Sequence, residues 1–338
     1  MSLISNVPII LQGSIGVVLS RLNLILGGAG FIGSNLANRL HSQGDRVLVV
    51  DNFFRKNQDK NSTLNREIPC IELDLGAVQF AISSLQKSLL SESGIKVWHL
   101  AANSDIRAGQ ADITVDLWNT LNTTITALGL ISKLNVSEFV FASSSAIYGK
   151  YSGIPFSETN TNFMPESNYG YMKLLSEFAI STQSSLDDDT LIRIYRFPNV
   201  VGQNMTHGVI FDFYQKLQSS GQVLEVLGNG LQKKPFIHVD DLINAMIHLN
   251  QVSGRIEVFN IAPQDDGIEI REIAQLMIQK LRPNLVPKFG HTSGGWEGDI
   301  PVYKFNTQKS LSKGLSLDQS SRDAVLRAIA SLQMDAGI

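Results

Sequence analysis

The chain has 338 residues, 43% of them hydrophobic and 17% charged, with a formal net charge of −3. That balance describes a globular chain long enough for a sizeable core and excludes a broad basic surface, so nucleic acid is not an expected partner. A lone cysteine, Cys70, excludes an internal disulfide framework and a cysteine cluster for metal, and a reducing compartment such as the cytoplasm fits it. Residues 1–21 read as an N-terminal extension. The apolar run from Val7 to Leu26 is interrupted by Gln12, Gly13, Ser14, Ser20 and Arg21 and falls short of the about 20 predominantly apolar residues of a membrane span. It has no basic start and no clear cleavage site, and no membrane partner is expected. Strand-like runs and helical stretches then alternate. LNLIL (22–26) reads as a buried strand, FIGSNLANRLHSQG as a helix closing at Gly44, and RVLVVD (46–51), IPCIELDL (68–75) and KVWHLAA (96–102) as further strands. A long helix is expected over 113–135, a strand over 138–145, a helix over 169–183 and a sixth strand over 191–202. This alternation predicts an α/β chain with a doubly wound parallel sheet.

Beyond residue 202 turn residues multiply, in GQNMTHG, GNGLQKKP, APQDDG, RPNLVP and GHTSGGWEGDIP, while PFIHVDDLINAMIHLN (235–250) reads again as strand and helix. The expectation is therefore a cofactor-binding unit over 22–202 to which 235–262 returns. A smaller, interleaved C-terminal substrate-binding domain is expected over 203–234 and 263–338.

The stretch ILGGAGFIGSN (25–35) carries Gly27, Gly30 and Gly33 between the first strand and the first helix, with Asp51 at the end of the second strand. In that context the first glycine permits a tight turn, the second lets backbone approach a pyrophosphate, and the third lets helix and strand pack closely. The helix N-terminus offers free N–H groups to phosphate. A carboxylate at Asp51 suits the ribose hydroxyls of NAD and repels the 2′-phosphate of NADP. Arg55 and Lys56, close behind it, weigh the other way. The sheet is thus expected to be of Rossmann type. Further along, Tyr169 and Lys173 stand four apart on a predicted helix and share a face. A free tyrosine has a pKa of about 10, and a nearby ammonium favours its phenolate, as a general base at neutral pH requires.

The string GGAGFIGSN (27–35), Asp51, LDL (73–75), HLAA (99–102), SSSAIYG (143–149), Tyr169-x-x-x-Lys173 and RFPNVVG (196–202) resembles the extended short-chain dehydrogenase/reductase superfamily, in its NAD-dependent nucleotide-sugar epimerase/dehydratase branch. The resemblance covers roughly residues 22 to 330; one departure is Leu26, where the family often has Thr. It implies bound NAD, with Gly27, Gly30, Phe31, Ile32, Gly33, Asp51, Asn52, Leu100, Ala101, Ala102 and Phe197 around the cofactor and Asp74 and Leu75 beside the adenine. Counting back four from Tyr148, as the family motif does, implies Ser144 as the hydroxyl that holds the substrate oxygen, with Ser143 and Ser145 as neighbours that could serve instead. Lys173 would also hold the nicotinamide ribose. Ser104 and Ser145 are implied near the sugar, Asn199 near the sugar–pyrophosphate, Lys234 at the diphosphate where an Arg is usual, and Asp299 at the nucleotide ribose. Trp296 stands where a further Arg is common. Asn103, Ser104, Asp105 and Arg107 either reach the sugar or cap the helix that follows.

The dehydratases of this family carry Asp-Glu after the hydroxyl residue, and the decarboxylases usually a Glu there; here Ser145 and Ala146 occupy those positions. The expected reaction is therefore epimerisation of a nucleotide-diphosphate sugar, at C4, through a 4-keto sugar and hydride return. A 4,6-dehydratase, another sugar oxidoreductase and a non-catalytic dinucleotide-binding protein are the alternatives. Family members commonly pair through two helices, here 113–135 and 169–183, so a homodimer is implied. Trp118, Leu121, Ile125 and Leu128 recur at helical spacing and fit either that face or the core.

Overall fold

A computed structural model describes residues 21–54, 63–183, 189–219, 223–295 and 299–335; residues 1–20, Arg55, Lys56 and Trp296 lie outside the described residues. In chain order the strands are β1 (Leu22–Leu26), β2 (Arg46–Asp51), β3 (Cys70–Glu72), β4 (Ile95–His99), β5 (Val136–Ala142), β6 (Leu191–Arg196), β7 (Asn199–Val201), β8 (Val223–Val226), β9 (Lys233–Lys234), β10 (Phe236–His238), β11 (Ile256–Asn260), β12 (Ile268–Glu269) and β13 (Val286–Phe289). The helices are α1 (Phe31–Ser42), α2 (Val78–Leu89), α3 (Ile106–Ala111), α4 (Ile113–Asp116), α5 (Asn122–Ile131), α6 (Asn168–Thr182), α7 (Val209–Gln218), α8 (Val239–Leu249), α9 (Ile270–Leu281), α10 (Gln308–Ser312) and α11 (Ser321–Asp335).

Seven strands form one parallel sheet in the order β11-β6-β5-β4-β1-β2-β3. Alternation along each strand divides the core between the two faces. Leu24, Leu26, Leu48, Val50, Val97, Phe139 and Phe141 pack with α2, α5 and α6. Ile25, Val47, Val49, Trp98 and Val140 pack with α1 and α8, in a core continuous with α7, α9 and α11. Each fully buried aliphatic side chain contributes about 1.5–3 kcal/mol, so a one-residue slip, which would turn every one of them to the wrong face, is strongly disfavoured. The strand order reverses at β1: the chain leaves it toward β2 and returns to β4 on its other side. That switch opens a crevice at the carboxyl ends of β1 and β4, where doubly wound sheets bind ligands.

Five expected elements are shorter or broken; the fourth strand, expected to run to Ala102, ends at His99. The third strand is only Cys70–Glu72, because Asp74 turns the chain by accepting Gly76 N at 2.8 Å. The fifth strand ends at Ala142, and Ser144 starts a turn instead, its Oγ accepting Ala146 N at 3.2 Å. The sixth breaks at Phe197-Pro198, since proline has no N–H for the ladder; β7 then leaves the sheet to pair with β10. The helix expected over 113–135 is α4, a π turn over Leu117–Leu121, and α5, ending at Ile131. Its middle is rich in Thr and Asn, and Thr123 and Thr124 Oγ1 donate to the Thr120 carbonyl at 2.9 and 3.2 Å, the kind of competition that loosens a helix. Within it Trp118 and Ile125 are exposed, Leu121 half-buried, and Leu128 belongs to the core. The helices α2, α3, α7, α9, α10 and α11 and the strands β8, β9, β11, β12 and β13 have no counterpart in the elements expected from the sequence.

Candidate active site

The crevice is a cleft of about 1590 Å³. Pockets for one small ligand run to roughly 300–1,000 Å³, so this one has room for two sizeable molecules side by side. At one end lies the glycine loop. Gly27 has φ +81°, and a Cβ there would meet the Ala101 backbone at 2.5 Å; a Cβ on Gly33 would meet the Gly27 carbonyl at 2.2 Å. Only glycine lets β1, β4 and α1 close up this far. At Gly30 the space is open apart from the Gly27 carbonyl at 3.4 Å, so its backbone is bare toward the cleft. α1 begins without a side-chain cap or an acidic residue in its first turn, and its N–H groups are free for an anion. Asp51 closes the loop: Oδ2 accepts Ala29 N at 3.0 Å and Oδ1 accepts Phe53 N at 2.8 Å. Burial pushes its carboxyl above the usual value, against the pull of these backbone donors. The bare loop, the uncapped helix and the carboxylate at the end of β2 fit a dinucleotide.

Midway along the cleft, Ser144, Tyr169 and Lys173 converge. Ser167 caps α6 by accepting Gly170 N at 3.2 Å, which fixes the helix start two residues before Tyr169. The Tyr169 hydroxyl hydrogen-bonds Ser144. Lys173 is 2% exposed, donates Nζ to the Ala142 carbonyl at 2.6 Å, and lies 5.8 Å from the Tyr169 ring centroid. Its ammonium does not pull the phenol down: burial pushes Tyr169 above its ordinary value, Asp116 adds to the rise, and the Ser144 hydrogen bond opposes it. Burial likewise pulls Lys173 down to about 7, against the charges of Glu177 and Asp116. Within the protein alone the phenol therefore keeps its proton.

Behind these residues Glu177, one turn beyond Lys173, accepts Arg196 Nε and Nη2 at 3.0 and 2.6 Å and Ser143 Oγ at 2.5 Å. Arg196 Nη1 donates to Tyr148 Oη at 3.0 Å, which donates to Asn260 Oδ1 at 2.7 Å. This chain anchors the end of β5 beside Ser144. At the far end Lys234 and Asp299 form an ion pair, and Gly295 N donates to Asp299 Oδ2 at 3.1 Å. The residues read separately as diphosphate and ribose contacts are thus each other's partners. Asn199 Nδ2 donates to Tyr303 Oη at 3.1 Å.

Among the described residues expected to be catalytic or to bind cofactor or substrate, Asp74 is the one not on the cleft wall. It is exposed, and its carboxylate is used in the turn to Gly76. Leu75, Asn52, Phe31, Ile32, Leu100, Ala102 and Phe197 line the cleft, as do Ser104 and Ser145. The choice left open for residues 103–107 divides. Asp105 caps α3 by accepting Ala108 N at 3.1 Å, whereas Arg107 lines the cleft and pairs with Asp212 of α7 at 3.3 Å. Sequence reasoning missed Glu166, Asn119, His207 and Tyr303 on the wall. Glu166 immediately precedes the α6 cap and was within reach of the motif; the other three carry no local signal.

Residues 23–262 match the family described as NAD dependent epimerase/dehydratase family. The chain belongs to that family. Its cofactor is NAD, which the glycine loop and Asp51 fit. Among curated relatives it is 28% identical over 260 residues to a UDP-N-acetyl-alpha-D-glucosaminuronate decarboxylase of Bacillus cytotoxicus, covering 75% of this chain and 78% of the relative. It is 28% identical over 243 residues to a putative UDP-glucose 4-epimerase of Methanocaldococcus jannaschii, covering 70% of this chain and 75% of that one. A solved UDP-galactose 4-epimerase superposes with TM-score 0.78 at 28% identity, covering 93% of this chain and 99% of that one. The chain is an enzyme of this family. Among the described residues no helix is long and apolar enough to cross a membrane, and no cluster of His, Cys, Asp and Glu could hold a metal ion.

Proposed function

We propose that the enzyme epimerises a nucleotide-diphosphate sugar at C4. The observation that carries this reading is the meeting of Ser144, Tyr169 and Lys173 on a cleft whose adjoining positions are Ser145 and Ala146, which supply no acid or base for elimination. Tyr169 takes the proton of the C4 hydroxyl while Ser144 holds that oxygen, and Tyr169 returns the proton to the C4 oxygen once the 4-keto sugar has turned its other face to the cofactor side. Lys173, whose Nζ lies 5.8 Å from the Tyr169 ring centroid, holds the nicotinamide ribose. When bound, NAD supplies the hydride acceptor and, on the return, the hydride donor. Lys234 and Asp299 receive the nucleotide end by exchanging part of their mutual contact for phosphate and ribose. Lys234 does so as a point charge, without the fork of an arginine. The 4-epimerases among the similar proteins support the reading.

A second reading, elimination or decarboxylation, is favoured by Glu166, a half-buried carboxylate on the same wall. Proton NMR in heavy water with UDP-, dTDP-, GDP- and CDP-hexoses separates epimerisation from elimination. A new anomeric signal from the C4 epimer without net NADH supports epimerisation; a 4-keto-6-deoxy sugar overturns it. The active form proposed is a homodimer in the cytoplasm, paired through the helical stretch 113–131 and α6. Trp118, Ile125, Tyr171, Leu175 and Phe178 are exposed there, a large apolar surface for a free face.

A further inference from the structure

Asn260 is the last residue of β11 and is 0% exposed. Its side-chain amide is used on both arms. Oδ1 accepts Tyr148 Oη at 2.7 Å, and Nδ2 donates to the carbonyls of Phe156 at 2.9 Å and Asn306 at 3.2 Å. Its backbone is engaged as well: N donates to Glu158 Oε1 at 2.7 Å, and the carbonyl accepts Ser310 Oγ at 2.6 Å. Two carbonyls on one arm and a hydroxyl on the other require two donors and an acceptor, which an asparagine of this size supplies. A buried polar group pinned from several sides in this way is costly to disturb.

Two parts of the cleft meet at this amide. On the Oδ1 side, Tyr148 Oη accepts Arg196 Nη1, Arg196 holds Glu177, and Glu177 accepts the hydroxyl of Ser143, the neighbour of Ser144. That arm ends at the catalytic end of β5. On the Nδ2 side lies the segment 299–306, which carries Asp299, Ile300 and Tyr303 on the cleft wall. This segment belongs to no strand of the sheets and meets its neighbours through single bridges at Val302 and Phe305. Phe156 N donates to the Lys304 carbonyl at 2.8 Å, and the Phe156 carbonyl accepts Asn306 N at 2.8 Å along with Asn260 Nδ2. Packing follows the same route: the Tyr148 ring stacks on Phe156 at 4.6 Å, and Phe156 stacks on Tyr303 at 5.6 Å. The NAD end of the cleft is built on β1, β2 and α1, and none of the partners of Asn260 named above belongs to them.

We propose that Asn260 is a positioning residue for the substrate. It is the buried junction that holds the wall carrying Asp299, Ile300 and Tyr303 in register with Ser144 and Tyr169. Disturbing it weakens the hold on the nucleotide sugar and leaves NAD in place. The identity of that ligand as a nucleotide sugar rests on the proposed function; the coupling of the two segments does not.

Two variants cut the arms separately. Asn260→Asp keeps the shape and the acceptor for Tyr148 but turns a carboxylate oxygen toward two carbonyls. Tyr148→Phe keeps the ring stacking and removes the hydroxyl. NAD affinity is read by fluorescence quenching, and affinity for UDP, dTDP, GDP and CDP and their hexoses by calorimetry. Asn260→Asp is expected to bind the sugar nucleotide roughly tenfold more weakly, the scale of one buried hydrogen bond, with NAD affinity within about twofold of wild type. Tyr148→Phe is expected to show the same split, and it decides the matter if Asn260→Asp does not fold. Equal losses for NAD and nucleotide would show that Asn260 merely holds the fold and would overturn the proposal, as would unchanged nucleotide affinity. Hydrogen exchange of the NAD-loaded enzyme needs no substrate: amides of 300–307 are expected to exchange faster in the variants, with those of α6 unchanged. If the wild type binds none of these nucleotides, the substrate reading fails and exchange alone decides the coupling; unchanged exchange at 300–307 overturns it.

Discussion

Replacing Arg196 by methionine perturbs the site without touching the cleft wall. The Arg196 and Glu177 side chains are only 6% and 8% exposed, and they are joined by two hydrogen bonds of 3.0 and 2.6 Å. The guanidinium also lies 5.2 and 5.1 Å from the ring centroids of Tyr148 and Phe163. Methionine fills part of the same volume but removes both guanidinium donors from Glu177 and leaves it the Ser143 hydroxyl. Breaking a buried pair from one side costs about 3–5 kcal/mol, because the surviving charge is uncompensated, whereas removing both charges is far milder. Arg196→Met is therefore expected to lose about 3–5 kcal/mol in urea unfolding, and Glu177→Gln with Arg196→Met to recover most of it. A loss below about 1 kcal/mol, or a double variant no better than the single one, would refute the view that this pair is a desolvated charge system.

Three further substitutions follow from the assigned roles. Tyr169→Phe is expected to lower kcat by roughly 10²–10⁴-fold with NAD still bound, read by turnover and by NAD fluorescence quenching; near-normal rates would remove Tyr169 from the base role. Asp51→Asn is expected to narrow the preference for NAD over NADP by roughly tenfold, about 1.4 kcal/mol, in paired binding titrations, and an unchanged ratio would sink the ribose assignment. Lys173 has a native pKa of about 7, below the 10.5 of an ordinary lysine. Between those values the unfolded chain binds the extra proton, so stability rises as pH rises through 7 and levels off above about 10.5. Lys173→Met is therefore expected to stabilise the apo protein by a few kcal/mol near pH 6 and to lose that advantage by about pH 11, while abolishing turnover. Equal effects at both pH values would mean that Lys173 is not strained by burial.

The sheet was legible because its signal is local. LNLIL, RVLVVD and the apolar part of EFVFASSS are short runs bounded by turns, and the glycines of 27–33 need little more than their neighbours to be understood. Misreadings arose where side chains override the pattern. Asp74 looked like part of a strand but spends its carboxylate on Gly76 N, and Pro198 splits a run that reads as continuous. The π turn at 117–121 leaves no mark in hydrophobic spacing; it comes from Thr and Asn competing for helical carbonyls. In the site, Tyr169 and Lys173 were legible from their spacing, but their protonation was not, because it depends on Asp116, Glu177 and burial contributed by distant segments. For the same reason the pairing of Lys234 with Asp299, 65 positions apart, could not be read from either motif.

The central claim is that the hydride removed from C4 returns to C4. It is tested most directly with whichever nucleotide hexose the enzyme turns over, deuterated at C4 and incubated in ordinary water. Mass spectrometry and NMR of the recovered epimer are expected to show the deuterium retained at C4 of the inverted sugar, with C5 and C6 unchanged and no net NADH. Loss of the C4 label to solvent would contradict the account, as would its transfer to C6 in a dehydrated product.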